Sequence, residues 1–282
     1  MQRMNDQTLL IGDIGGTNAR FALANPNTVA FDAALTLKCA DFDSSVAAIR
    51  HYLEAVAAPP PAAICLAAAG PVIEETVKVT NNHWTLSVRE IRRELGVERV
   101  KLLNDFEAVA WSIPSIEERF LESVGQASQQ ALPTESFNIA IVGPGTGLGT
   151  GGLLKRNGQL IPLVGEGGHI GFAPKSKTQI EILGVLRDRF ERVSVERLLS
   201  GSGIENIYWA LHTLRGDTRK EMTAADIFRA ASDGSDAVAA DATQLFYEIL
   251  GQVAGDVQRL QVGGAQPLAA LVDGMDIVVA VP

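Results

Sequence analysis

The sequence predicts an α/β protein made of two related halves. Three observations carry this. Strand-like and helix-like segments alternate along most of the chain. A β-hairpin with a glycine-rich turn opens each half, at residues 8–24 and again from Phe137. Hydrophobic residues are 46% of the 282 and charged ones 20%, so a sizeable core can form and disorder is not the dominant state.

Thr8-Leu-Leu-Ile-Gly-Asp-Ile-Gly-Gly-Thr-Asn-Ala-Arg-Phe-Ala-Leu-Ala24 reads as strand, turn, strand, and a third strand follows near 28–38. Ser44 opens a helix with Val46, Ile49, Leu53 and Val56 on one face, ended by prolines 59–61. Ala62–Ala68 is a buried strand, with Cys65 as a small core residue. Ser87-Val-Arg-Glu90 is a capping box for a helix that turns Val88, Ile91 and Leu95 inward. Val100–Leu103 is a short strand, and a helix begins at about Phe106.

The pattern then starts again. Phe137–Val142 is a strand, Gly143–Gly152 a glycine-rich turn, and Leu153–Lys155 and Leu160–Val164 are further strands. Helices follow at about 178–190, 203–215, 223–232 and 236–257, two of them opened by Thr178-x-x-Glu181 and Thr223-x-x-Asp226. The polar stretch 113–136 marks the boundary, giving a smaller domain over 1–113 and a larger one over 114–282.

The formal charge of −9 argues against nucleic acid and anionic membranes as partners. An acidic chain that binds an anion must do so locally, through backbone N–H groups, a metal or a few basic residues. The two cysteines, Cys39 and Cys65, form neither a disulfide framework nor a zinc site. With no signal-like N-terminus and no segment long enough to span a bilayer, the expected compartment is the cytoplasm.

Five constellations carry the candidate chemistry. In Gly12-Asp13-Ile14-Gly15-Gly16-Thr17-Asn18, adjacent glycines permit φ > 0 and let successive N–H groups point at one oxyanion. Thr17 adds a hydroxyl, and Asp13 would hold a hydrated Mg²⁺. The bland alternative is a tight hairpin. Gly143-Pro-Gly145-Thr146-Gly147-Leu-Gly149 would cradle the other end of a triphosphate. Its formal G-x-G-x-x-G is not a dinucleotide site, because a strand rather than a helix follows. Asn104-Asp105 stands between a strand and a helix. It reads either as an N-cap or as a general base beside a residue that holds a neighbouring hydroxyl. Glu166-Gly-Gly-His169 offers acceptors and an imidazole for a neutral polyol. Glu196 alone reads as a solvated acid in a helix's first turn.

In this order the blocks resemble the bacterial glucokinase family, within the sugar kinase, Hsp70 and actin group. The matching stretches are Gly12–Arg20, Thr80-Asn81 with Trp84, Leu103–Ala108, Gly143–Gly149, Gly165–His169 with Phe172-Ala-Pro174, and Glu196–Gly201. The resemblance implies two ribonuclease H-like (actin-like ATPase) domains flanking a central cleft. It implies Asp105 as the base for the 6-hydroxyl of glucose, with Asn104, Glu166, His169 and Glu196 on the other hydroxyls. ATP with Mg²⁺ would lie on residues 12–17 and on Gly143, Gly145, Thr146 and Gly147. Kinases of the related ROK group usually carry a cysteine-rich zinc motif after the histidine; no cysteine follows Cys65 here, so the plain glucokinase branch is the better match. Oligomeric state is not legible, and a homodimer is one arrangement the sequence allows.

The resemblance weakens after about Val257. Family members continue with an apolar strand and an Ala-Gly-Gly turn that holds adenosine, then a last helix. Here Gly263-Gly264 precedes the apolar run Ile277–Val281 instead of following one, and nothing covers that β-prone end. The expectation is an altered C-terminal segment, as a frameshift would produce, with weak ATP affinity and low stability. Two other readings stand beside an active ATP:glucose phosphotransferase: a sugar-binding remnant, and a kinase for another hexose.

Overall fold

The computed structural model describes residues 8–28, 30–124, 136–217, 221–262, 268–272 and 277–281. The chain divides into two compact units, Met1–Val109 and Ala110–Pro282.

In the first unit the order is β1 (Leu9–Ile14), β2 (Asn18–Asn25), β3 (Ala30–Lys38), α1 (Ser45–Ala55), β4 (Ala63–Ala68), β5 (Thr76–Lys78), β6 (Thr85–Ser87), α2 (Val88–Leu95), β7 (Val100–Asn104) and α3, which begins at Asp105 and runs to Ser112. The main sheet has the order β3-β2-β1-β4-β7. β2 is antiparallel to β1 and β3, while β4 and β7 run parallel to β1. All three parallel strands therefore end on the same side of the sheet.

On one face of the sheet the side chains of β1, β4 and β7 are buried. Leu10, Ile14, Ile64 and Leu66 are 0–1% exposed and pack with Val46, Ile49 and Tyr52 of α1 and Ile91 of α2. Each such side chain contributes about 1.5–3 kcal/mol over the exposed state. Local signals act where the sequence places them: the hydroxyls of Ser44 and Ser87 accept from the N–H groups of Ala47 and Glu90. Cys39 is buried, but Cys65 points to the other sheet face and is only half-buried, contrary to its reading as a core residue.

The second unit contains β8 (Leu121–Val124), β9 (Phe137–Pro144), β10 (Leu148–Arg156), β11 (Gln159–Gly165), α4 (Lys177–Arg189), α5 (Gly201–Arg215), α6 (Ala224–Ser232), α7 (Ala237–Val262), β12 (Leu268–Val272) and β13 (Ile277–Val281). Ile182, Leu186, Ile204, Ile207, Phe246 and Ile249 form the core with Ala140 and Val142 of β9. Thr223 caps α6 as expected, its hydroxyl accepting from the Asp226 N–H. The cap of α4 is Ser176, not Thr178, because the Ser176 hydroxyl accepts from the Gln179 N–H. The expected ten-residue turn shrinks to Gly145–Gly147, since Gly143 lies in β9 and Gly149 and Gly152 lie in β10.

The second sheet runs β11-β10-β9-β13-β12-β8. Its first three strands repeat the antiparallel start of the first unit, and then the likeness ends. Where β4 lies parallel to β1, β13 lies antiparallel to β9. The terminal apolar run, expected as an uncovered strand, is paired with β9 on one side and β12 on the other. The Gly263-Gly264 pair, weighed as an adenosine turn, falls outside the described residues.

Candidate active site

In the first unit the candidate residues gather where β1 and β7 end. Asn104 closes β7 and Asp105 opens α3. Asn104 is buried, and its side chain acts as the helix cap: Oδ1 accepts from the N–H groups of Phe106 at 3.0 Å and Glu107 at 3.4 Å. One Nδ2 hydrogen goes to the Gly70 carbonyl at 3.1 Å. The side chain also donates toward the Asp105 carboxylate, so the cap, Gly70 and Asp105 use most of its capacity.

Asp105 is half-buried, and its carboxylate accepts from the Phe106 N–H at 2.9 Å. Loss of water around it pushes its pKa above the ordinary aspartate value. That hydrogen bond works in the opposite direction, and the charge of Asp13 adds to the rise. Asp13 stands opposite Arg20 in the β1–β2 register, and Arg20 donates to its Oδ2 at 2.9 Å. An ion pair this exposed adds little stability, so its main effect is to fix the direction of the Asp13 carboxylate.

The turn between β1 and β2 is built differently from expectation. Neither Gly15 nor Gly16 adopts positive φ. What Gly16 provides is closeness: an added Cβ would meet Thr80 O at 3.2 Å and Asn81 Cβ at 3.2 Å. The Asn82 side chain braces the turn by donating to Gly15 O at 3.1 Å, and Cys39 N–H donates to Thr17 O at 2.9 Å. Among the described residues, the Gly16 and Thr17 amides and the exposed Thr17 hydroxyl have no partner within the chain. These donors suit an oxyanion. Gly12 and Ile14 do not share this chemistry. Ile14 is a fully buried core side chain, and a Cβ on Gly12 would lie 2.8 Å from Leu66 and 2.9 Å from Phe21.

In the second unit Glu166, His169 and Glu196 come together, although thirty positions of chain separate the first from the last. Gly167–His169 is a single 3₁₀ turn after β11, and Val195–Arg197 is another before α5. His169 lies between the two carboxylates: Nε2 is 3.9 Å from Glu166 Oε2 and Nδ1 is 4.0 Å from Glu196 Oε1. Both gaps exceed hydrogen-bond reach, so a hydroxyl or a water is needed to join the groups. Glu196 is the anchored member. It lies in a short 3₁₀ turn, as an acid near a helix start was expected to, but it is not merely solvated: its Oε2 accepts from the Leu148 N–H at 2.9 Å.

That bond explains part of the second glycine-rich turn. A Cβ on Gly147 would lie 2.6 Å from Glu196 Oε2, so Gly147 lies directly beside the carboxylate cluster. Gly145 and Thr146 are exposed at the tip, Gly143 is buried within β9, and the Gly145 carbonyl accepts from the Gly201 N–H at the start of α5. A Cβ on Gly168 would lie 2.3 Å from Leu148 O, which holds the His169 turn directly against β10.

Two residues that the sequence reading passed over position this cluster. Buried Thr150 accepts from the Gly167 N–H at 2.9 Å through its hydroxyl. Arg192 donates to the His169 carbonyl. A threonine inside a glycine run was the available signal for the first; the sequence around Arg192 offers none. The described residues contain no group of three or more His, Cys, Asp or Glu side chains suited to hold a metal. No helix among them is long and apolar enough to cross a membrane.

Comparison with known proteins finds similarity along most of the chain. The glucokinase family model matches residues 10–265, past the point near Val257 where the resemblance was expected to fail. A glucokinase from Marinobacter nauticus is 40% identical over 248 residues, 88% of this chain and 76% of that protein. One from Chromohalobacter salexigens is 42% identical over 247 residues, again 88% and 76%. The crystal structure of a glucokinase from an Antarctic psychrotroph superposes with a TM-score of 0.80 at 35% identity, covering 92% of this chain and 81% of that one. A glucokinase from Balamuthia mandrillaris, solved in complex with glucose, shares the fold with a TM-score of 0.71 at 23% identity, covering 89% and 76%. The actin-like ATPase fold expected from the sequence is the fold of these neighbours.

Proposed function

The chain belongs to the glucokinase family and is an ATP-dependent hexose kinase; on that premise we propose how its residues divide the transfer of the γ-phosphate of ATP to the 6-hydroxyl of glucose. Asp105 accepts the proton of that hydroxyl. The freed oxygen bonds to the γ-phosphorus as the bond from that phosphorus to the β,γ-bridging oxygen breaks, giving glucose 6-phosphate and ADP. Such a transition state is loose and needs positioning and charge stabilisation more than covalent help.

The observation that carries this reading is the setting of Asp105. Half-burial and a neighbouring carboxylate raise its proton affinity, and a base works best when its pKa approaches the working pH. The Phe106 N–H meanwhile holds the carboxylate in place. The Gly16 and Thr17 amides and the Thr17 hydroxyl supply donors for phosphate oxygens, while the Gly15 N–H is held by the Asn18 carbonyl at 2.9 Å. Glu166, His169 and Glu196 accept from or donate to the remaining hydroxyls, which would fill the gaps of 3.9 and 4.0 Å around the imidazole.

The groups at the turn are compatible with Mg²⁺. Mg²⁺ keeps most of its waters and takes one or two carboxylates plus substrate phosphates. Asp13 offers a half-exposed carboxylate with one oxygen on Arg20 and the other open to a metal-bound water. Bound there, the ion would neutralise charge developing on the phosphate oxygens. A cytoplasmic location belongs to the same reading, supported by two free cysteines and by the use of ATP.

The test is glucose phosphorylation by Asp105→Asn beside the unaltered chain. The proposal expects kcat to fall by about 10²–10⁴-fold, the range for a lost general base, with glucose still bound in a calorimeter. An Asn variant within twofold of the parent would overturn it.

A further inference from the structure

The loop between β5 and β6 packs against the turn between β1 and β2, and its own ends are fixed in the core. Val79 and Trp84 are each 1% exposed, and the Val79 N–H donates to the Trp84 carbonyl at 3.1 Å. The Thr80 N–H donates to the carbonyl of Ala69, just past β4, at 2.8 Å, and the Trp84 indole N–H donates to the Phe42 carbonyl at 3.0 Å. Between these anchors Asn81 adopts a φ of 56°, a left-handed conformation that asparagine tolerates better than most residues. The loop thereby comes so close to Gly16 that an added Cβ there would meet it at 3.2 Å.

Asn82 makes two bonds with different partners. Its Oδ1 accepts from the Trp84 N–H at 2.9 Å, which closes the loop on itself. Its Nδ2 crosses to the turn and donates to the Gly15 carbonyl at 3.1 Å. The Cys39 thiol donates to the same carbonyl at 3.7 Å, and Asn82 lies within bonding reach of that sulfur as well. The Gly15 carbonyl and the Gly16 N–H belong to one peptide. A trans peptide is planar with its C=O and N–H in opposite directions, so a carbonyl held from behind sets where the N–H points in front. With glycine on both sides, no side chain limits the rotation of that peptide.

We propose that Asn82 is a positioning residue for the phosphoryl transfer: by holding the Gly15 carbonyl it aims the Gly16 N–H at the triphosphate, acting through the peptide rather than on the nucleotide. The inference rests on the reading of this turn as the cradle of the triphosphate. A donor set in direction beforehand needs no reorientation when the phosphate arrives. A released peptide would turn its N–H away for part of the time, and the loss would fall on ATP and not on glucose.

The test is steady-state kinetics of Asn82→Ser, with each substrate varied in turn. A serine hydroxyl still accepts from the N–H two residues on, as the asparagine side chain does, but it is too short to reach Gly15. The KM for ATP should rise about fivefold, the worth of one hydrogen bond, while the KM for glucose stays within about twofold. Gly16→Ala displaces the same peptide directly, through Thr80 O and Asn81 Cβ, and should raise the KM for ATP at least as far. A rise in Gly16→Ala with none in Asn82→Ser would overturn the role of Asn82 and leave the turn as the nucleotide site. No rise in either variant would overturn both readings. Equal rises for ATP and glucose in Asn82→Ser would mean a general loosening and would also overturn the proposal. If Asn82→Ser fails to fold, Asn82→Thr, which carries the same hydroxyl, decides.

Discussion

Gly147 has no side chain where Glu196 needs the space: a Cβ there would sit 2.6 Å from the oxygen that accepts the Leu148 N–H. Gly147→Ala must therefore push Glu196 out of line. We expect the KM for glucose to rise about tenfold, ~1.4 kcal/mol of lost binding, while the KM for ATP moves less than about twofold. Steady-state kinetics with each substrate varied in turn will decide. A change confined to ATP would return this glycine to the nucleotide.

Asp105 should cost the fold stability at neutral pH. Its folded pKa is raised above the ordinary value, so its contribution to stability is fully present below that value and is lost as pH rises through the folded one. Asp105→Asn keeps an oxygen for the Phe106 N–H and removes the charge. The variant should melt above the parent at pH 7, and the difference should vanish near pH 3. Thermal denaturation at both values checks the sign; a lower melting point at pH 7 would contradict it.

Thr150 is buried, and its hydroxyl supports the turn that carries His169. Thr150→Val leaves the Gly167 N–H without its acceptor, at a cost of about 1–3 kcal/mol. Thr150→Ser restores the hydroxyl and should recover most of that loss. Urea midpoints of the three proteins measure it, and the Val variant should also show a raised KM for glucose.

Much of this was legible beforehand, for identifiable reasons. Ser44, Ser87 and Thr223 cap their helices because capping depends on neighbours within one turn of chain. Thr178 failed as a cap for the same local reason: Ser176, two residues earlier, takes the Gln179 N–H first. The glycine turns were visible as turns, but not their purpose. Gly16 and Gly147 answer to Asn81 and Glu196, partners that only tertiary contact brings near. Asn104 showed its capping role and its candidate ligand role equally in sequence; only the bonds to Phe106 and Glu107 show how much of the side chain the cap consumes. The antiparallel placement of β13 had no local signature, because an apolar β-prone run carries no direction.

The β12–β13 hairpin gives a further expectation. β13 covers the edge of β9 through backbone pairing. Truncation after Val262 would bare that edge, and an uncovered edge strand is a template for aggregation. Light scattering of the truncated chain should rise with time and concentration while the parent stays clear. Equal scattering would mean that the hairpin does not protect the sheet.

The most direct test of the central claim is a coupled assay for glucose 6-phosphate, with glucose and MgATP as substrates and Asp105→Asn as the comparison. The account predicts turnover by the unaltered chain and its near-complete loss in the variant. Folded, glucose-binding protein without turnover, or a variant as active as its parent, would contradict it.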